Sequence, residues 1–176
     1  YCIRKVNQGE QVFLKELFVI YNECLKENLL VENNEMSPWT YKNLVGVGLR
    51  LKEFNWVEQF IKQNNHLLSE EFRENAFNYN MAELCYYRND FDNAIKHLNL
   101  VAFSDIYYSF DTKKMLVKIY FEQNEIDALL SLIASFKIFI KRNTSVSEAN
   151  KEAYNNFINI IQQFLKCATQ KTAPEL

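Results

Sequence analysis

The stretch NAFNYNMAELCYYRNDFDNAIKHLNLV, residues 75 to 101, decides how the rest of the chain is read. Its first part returns Ala76, Tyr79, Met81, Ala82, Cys85 and Tyr86 to the packing side of a helix, and Asn89-Asp90 interrupts the pattern. Its second part resumes with Phe91, Ala94, Leu98 and Val101 at steps of three and four. Two amphipathic helices joined by a short polar turn make a helical hairpin, a unit that buries its apolar face only when neighbours stack on it.

Working outward, the same turn recurs on both sides. Lys52-Glu53-Phe54-Asn55, Asn89-Asp90-Phe91-Asp92 and Asn124-Glu125-Ile126-Asp127 align with spacings of 37 and 35 residues. Before the first turn, Ser37-Pro38 reads as an N-cap followed by proline at the first helical position, where the missing N–H costs nothing. The helix it opens carries Tyr41, Leu44, Val45, Gly48 and Leu49, and the next carries Trp56, Phe60 and Ile61 and fades at Asn64-Asn65. Ser69 opens the helix of the central stretch, with Glu70 and Glu71 where the helix dipole favours negative charge. Ser104-Asp105 opens the first helix of the third hairpin, and Ile126 to Arg142 forms the second. A leading helix spans residues 11 to 30 and ends at Asn33-Asn34. A closing helix follows the break at residues 144 to 147 and runs from Glu148 to about Lys166, with a frayed tail after Cys167.

Composition agrees. Hydrophobic residues make up 48% of the 176 and aromatics 15%, against three Gly and two Pro, too few turn residues for many hairpin strands or phosphate loops. The formal charge of −2 comes from 20 basic and 22 acidic residues interspersed along the chain. That balance provides no counterion-release drive toward nucleic acid, and no nucleic-acid partner is expected. The most apolar run, residues 129 to 140, is interrupted by Ser131, Ser135 and Lys137, so membrane insertion is not expected. Cys2, Cys24, Cys85 and Cys167 show no C-x-x-C spacing, which points away from zinc and toward reduced thiols in a cytoplasmic setting. The chain begins at Tyr1 rather than Met, and reads as a piece of a longer protein.

The central hairpin carries Asn78, Met81, Ala82 and Cys85 on its first helix and Phe91, Ala94, Leu98 and Val101 on its second, and in this it resembles a tetratricopeptide repeat. The period of that family is roughly 34 residues. The first hairpin offers Tyr41, Leu44, Val45, Gly48, Phe54, Val57, Ile61 and Asn64 at the matching places. The third offers Lys113, Leu116, Val117, Tyr120, Ile126, Leu129, Ile133 and Phe136. In both, the small residues have mostly grown, and a slide of one residue in the third hairpin brings Ala128 to a small position. A different helical solenoid or an irregular helical bundle fits the same periodicity.

The resemblance implies an all-α fold of about seven to eight helices, in antiparallel pairs stacked as a right-handed solenoid. Residues 1–176 then form one domain: a leading helix in 1–36, three pairs in 37–142, a closing helix in 143–168 and a tail at 169–176. It also implies a concave groove lined by the first helix of each pair. Its lining is Trp39, Lys42, Asn43 and Arg50 from the first pair, then Tyr79, Asn80, Glu83, Tyr86 and Tyr87 from the second. Lys114, Lys118 and Phe121 come from the third. In peptide-binding members, Lys and Asn at places matching Lys42, Asn43, Lys114 and Lys118 clamp a peptide's carboxylate and backbone, while Gly46 and Glu83 depart from that clamp. The function so implied is a scaffold that binds a protein or peptide, with no cofactor and no catalysis. The alternative is a regulatory or sensor domain that binds a small ligand between its pairs and controls an attached output domain.

The remaining candidates have plainer readings. His66 and His97 lack Cys, Asp or Glu at metal-ligand spacing, and His97 reads as a helix-surface residue. Gly46-Val47-Gly48 lies mid-helix without the third glycine of a dinucleotide loop and reads as tight helix packing. Residues 126 to 140 are apolar on more than one side, which means burial under the closing helix or a homodimer surface.

Overall fold

A computed structural model describes residues 1–102 and 106–171, and these carry nine α-helices, one turn of 3-10 helix and no strand. The chain falls into two compact units, Tyr1–Ala102 and Phe103–Leu176. The first holds α1 (Cys2–Asn7), α2 (Val12–Lys26), α3 (Pro38–Arg50), α4 (Phe54–Asn64), the 3-10 turn Asn65–Leu67, α5 (Glu70–Tyr87) and α6 (Phe91–Leu98). The second holds α7 (Ile106–Glu122), α8 (Ile126–Arg142) and α9 (Glu148–Lys171). The expected opening at Ser104-Asp105 and the end of the tail, residues 172–176, lie outside the described residues.

The three aligned turns share one geometry. Lys52, Asn89 and Asn124 take left-handed φ values of 62°, 60° and 58°. In each turn the next residue's N–H reaches back to a carbonyl five positions earlier: Glu53 to Gly48, Asp90 to Cys85 and Glu125 to Tyr120, all at 2.9 Å. The left-handed residue itself bonds three back, to Leu49, Tyr86 and Phe121. This is the Schellman closure, which satisfies the last carbonyls of one helix while the chain reverses. Asn tolerates the left-handed region through its short polar side chain, whereas Lys52 holds it against a cost of about 1 kcal/mol. The second helices then start at Phe54, Phe91 and Ile126, in the register the sequence alignment expects.

Packing repeats with the turns. Val45, Ala82 and Val117 are fully buried on the first helices, as are Val57, Ala94 and Leu129 on the second. Ala128 is exposed beside a buried Leu129, so the one-residue slide that would bring it inward does not occur. α3 packs on α4, α5 on α6, and α7 on α8, and within the first unit α3 also packs on α5.

The structure corrects the sequence reading at several points. Residues 1–36 hold two helices rather than one, because α1 precedes α2 and buries Val6 with Leu14, Leu17 and Val47. α2 stops at Lys26. The Asn33-Asn34 pair lies beyond it in a tight reversal: both residues have positive φ, and Glu32 and Glu35 exchange backbone hydrogen bonds of 2.8 and 2.9 Å, the pattern of a two-residue hairpin turn. Ser37 caps α3, accepting from the Trp39 N–H at 3.3 Å. Ser69 precedes α5 without a side-chain cap; Arg73 secures this corner instead, donating to the Leu68 and His66 carbonyls at 2.7 and 3.1 Å. α6 ends at Leu98, and Asn75 brackets the segment after it by accepting from the Ala102 N–H at 2.7 Å and donating to its carbonyl at 3.4 Å. α9 continues past Cys167 to Lys171.

Polar atoms inside the first unit are largely paired. The Tyr41 hydroxyl, wholly buried, donates to the Ile61 carbonyl at 3.0 Å. Trp56 Nε1 donates to Asn22 Oδ1 at 2.9 Å, which ties α4 to α2 while its ring stacks on Phe60 at 5.2 Å. The second unit is organised by rings: Phe110, fully buried, lies 5.9 Å from Phe136, 4.9 Å from Phe139 and 4.7 Å from Tyr154.

Candidate functional site

The two mid-helix glycines of α3 have opposite surroundings. A Cβ on Gly48 would stand 2.6 Å from Val57 Cγ2 and 3.2 Å from the Trp56 ring, so this glycine is demanded by α4. A Cβ on Gly46 would meet nothing within 4 Å. The tight packing expected of both residues holds for Gly48 alone. An interior helical glycine costs about 1 kcal/mol relative to alanine, and nothing in the protein's own packing offsets that cost at Gly46.

The space above Gly46 is a cleft of about 440 Å³. α3 supplies its floor and one rim through Trp39, Lys42, Asn43, Gly46, Val47 and Arg50, and α5 contributes Glu83. Ile3, Val6 and Asn7 of α1 and Leu17 and Tyr21 of α2 form the other side. Trp39 is 62% exposed and Ile3 51%, so two large apolar side chains stand in water beside the cleft. Polar groups converge among them: the amides of Asn7 and Asn43, the cations of Lys42 and Arg50, and the carboxylate of Glu83.

Electrostatics fixes several of these groups. Lys42 Nζ lies 4.8 Å above the Tyr79 ring, a cation–π contact that draws the ammonium across from α3 to α5. The Tyr79 hydroxyl faces Glu83 Oε1 at 3.4 Å. Arg50 donates to Gln11 Oε1 at 3.0 Å. Burial raises the Tyr87 phenol above its ordinary value and the Glu83 carboxylate adds to this, while the Arg50 guanidinium pulls it back. Burial likewise raises the Tyr21 phenol, with Cys24 contributing.

Of the sequence-predicted residues, Trp39, Lys42, Asn43, Arg50 and Glu83 therefore share one cleft. Tyr79 is buried beneath Lys42, and Tyr87 is 42% exposed one turn beyond Glu83. Tyr86 packs between Tyr87 and Phe91, with ring centroids at 6.0 and 5.8 Å. Asn80 departs from its expected place at the surface: it is fully buried, and its amide donates back to the Ala76 carbonyl at 2.7 Å. Lys114, Lys118 and Phe121 belong to the second unit. There Lys114 Nζ lies 5.8 Å over the Phe157 ring, and Phe121 meets Phe164 at 6.4 Å, so α9 packs on this face of α7. Lys118 is half-buried.

The residues that α1 and α2 bring to the cleft were not foreseen. Leu17 and Tyr21 sit on the apolar stripe of α2 and read simply as core, and nothing in the six residues of α1 announces a wall. His97 is half-buried rather than a free surface residue. Its Nδ1 lies 3.1 Å from Asn78 Oδ1, its ring meets Phe77 edge-on, and burial lowers its pKa. Residues 126 to 140 turn Leu129, Ile133, Phe136 and Ile140 inward, while Leu130 and Ile138 are 47% and 53% exposed. Among the described residues, no group of three His, Cys, Asp or Glu is placed to hold a metal ion, and no helix is long and apolar enough to cross a membrane. No family model, curated protein or solved structure matches the chain.

Proposed function

We propose that this chain is a protein-interaction module, a tetratricopeptide-like stack of helix pairs that binds a peptide segment of its partner in the cleft above Gly46. The observation that carries the reading is the cleft itself. It joins an exposed Trp39, amides, both signs of charge and, at Gly46, a lining position with no side chain. Two further observations support the stacked arrangement: the threefold recurrence of one Schellman turn, and the recurrence of a lysine laid over an aromatic ring of a later helix, Lys42 on Tyr79 and Lys114 on Phe157. The exposed rims favour a chain segment over the enclosed small ligand of a sensor domain, because aromatic anchors beside an open groove are the usual hot spots of peptide recognition.

The test is a random-peptide display selection on the chain, followed by affinity measurement with a selected peptide. Wild type enriches a common motif, and Gly46→Phe, whose ring projects into the cleft, weakens binding at least about tenfold at unchanged helicity. Equal affinity in the two proteins sinks the proposal.

A further inference from the structure

The charges around the cleft above Gly46 are unevenly matched. Lys42 lies over the face of the Tyr79 ring and Glu83 faces its hydroxyl, so one cation and one carboxylate are gathered at the same tyrosine. Arg50 stands apart from them. It is exposed, its one side-chain hydrogen bond goes to the neutral amide of Gln11 at 3.0 Å, and it makes no ion pair among the described residues. A ligand carboxylate can take the place of that amide without stranding another charge. It gains a charge-assisted, two-pronged contact that the protein does not already supply.

Asn43, Gly46 and Arg50 follow one another at steps of three and four on one face of α3, and all three line the cleft. At Gly46 an added Cβ would meet nothing within 4 Å, and Val6, Leu17, Tyr21 and Val47 line the space beside it. That is a socket for an apolar side chain. Asn43, and Asn7 across the cleft on α1, expose amides that make no side-chain hydrogen bond among the described residues. Each amide can donate to a peptide carbonyl and accept from a peptide N–H, which suits it to a main chain. Spacing sets the register. Four helical residues from Gly46 to Arg50 rise about 6 Å, and an extended chain advances about 6.6 Å in two residues.

We propose that the cleft selects acidic peptides: an extended segment whose aspartate or glutamate side chain pairs with Arg50 and whose large apolar residue, two positions away, seats above Gly46. This specificity rests on the cleft being a peptide site and adds the class of peptide. Arg50 is the specificity-determining residue, and Gly46 provides the room. The carboxylate comes from a side chain and not from a chain end, because Arg50 stands exposed at the rim, where a passing chain presents its side chains. A basic residue at the same place would set like charge against Arg50.

Random-peptide display on wild type, Arg50→Gln and Arg50→Glu reads the motif. Wild type enriches Asp or Glu two positions from a large apolar residue. Arg50→Gln loses the acidic preference and keeps the apolar one, and Arg50→Glu enriches Lys or Arg in its place, while both variants keep the circular dichroism of wild type. A peptide selected on wild type binds equally with its C-terminus free or amidated. Changing its acidic residue to the matching amide weakens binding about fivefold for wild type and less than about twofold for Arg50→Gln. This last comparison alters the ligand alone, so it holds whatever the variants do to the fold. Wild-type motifs without an acid, an acid-to-amide loss equal in wild type and Arg50→Gln, or loss of binding on amidation each overturn the proposal and leave peptide binding at the cleft standing. A selection that enriches nothing overturns both.

Discussion

The two units use the same repeat position in different ways. Lys42 and Lys114 each stand ten residues before the left-handed residue of their turn, at Lys52 and Asn124, and each lies over an aromatic ring of a later helix. Beside Lys42 the helix face carries Gly46 and faces the far wall formed by α1 and α2, so a cleft remains. Beside Lys114 the face carries Phe121, and the aromatic side of α9 lies on it. The recurring turn places Lys42 and Lys114 alike, but what flanks them decides whether the helix face stays open or is covered.

The comparison breaks most severely at Phe110, whose ring joins α7 to α8 and α9. Phe110→Ala is expected to cost about 3–5 kcal/mol, read from the urea midpoint. A loss below about 1 kcal/mol would mean that α9 is not held down by this ring cluster, and the contrast between the units would lapse.

A finer test sets Gly48 against Gly46, two residues apart on one helix. Gly48→Ala pushes a methyl into Val57 and Trp56 and is expected to destabilise by about 1–3 kcal/mol. Gly46→Ala meets open space and is expected to stabilise by up to about 1 kcal/mol through helix propensity. If both shift the thermal midpoint in the same direction, the cleft floor is packed after all.

The smallest effect is a pH dependence confined to the first unit. Burial lowers the His97 pKa below its ordinary 6.5. The unfolded chain therefore takes up this proton at a higher pH than the folded one. Stability is whole above pH 6.5, declines as the pH falls below that value, and levels off beneath the folded-state pKa. His97→Gln should remove this part of the slope in denaturant midpoints measured across that range, and an unchanged slope would assign it to other groups.

The turns were legible in the sequence because Asn-Asp, Asn-Glu and Lys-Glu before an apolar residue punctuate helices in a way few other pairs do. The fully buried positions Val45, Ala82 and Val117 followed from that alignment even where the small residue had grown, since burial depends on register more than on size. α1 was not legible. Six residues with one buried apolar side chain carry no periodicity, and their helix is fixed by contacts with Leu14, Leu17 and Val47. The three residues that α1 brings to the cleft, Ile3, Val6 and Asn7, went unseen with it. Gly46 and Gly48 look alike in sequence because the difference between them lies in what occupies the space above each. His97 and Asn80 were placed too near the surface because Asn78 and Phe77 cover the former and the interior of the first unit takes in the latter.

Gly46 leaves this fold open to retuning. It is a helical position where an added Cβ meets nothing within 4 Å, yet any addition there changes the lining of the cleft. Most binding surfaces couple specificity to stability, so that a new preference must be reached through weakened intermediates. At position 46 the two are separable at a single codon, because a small side chain there alters the cleft lining and leaves the neighbouring packing in place.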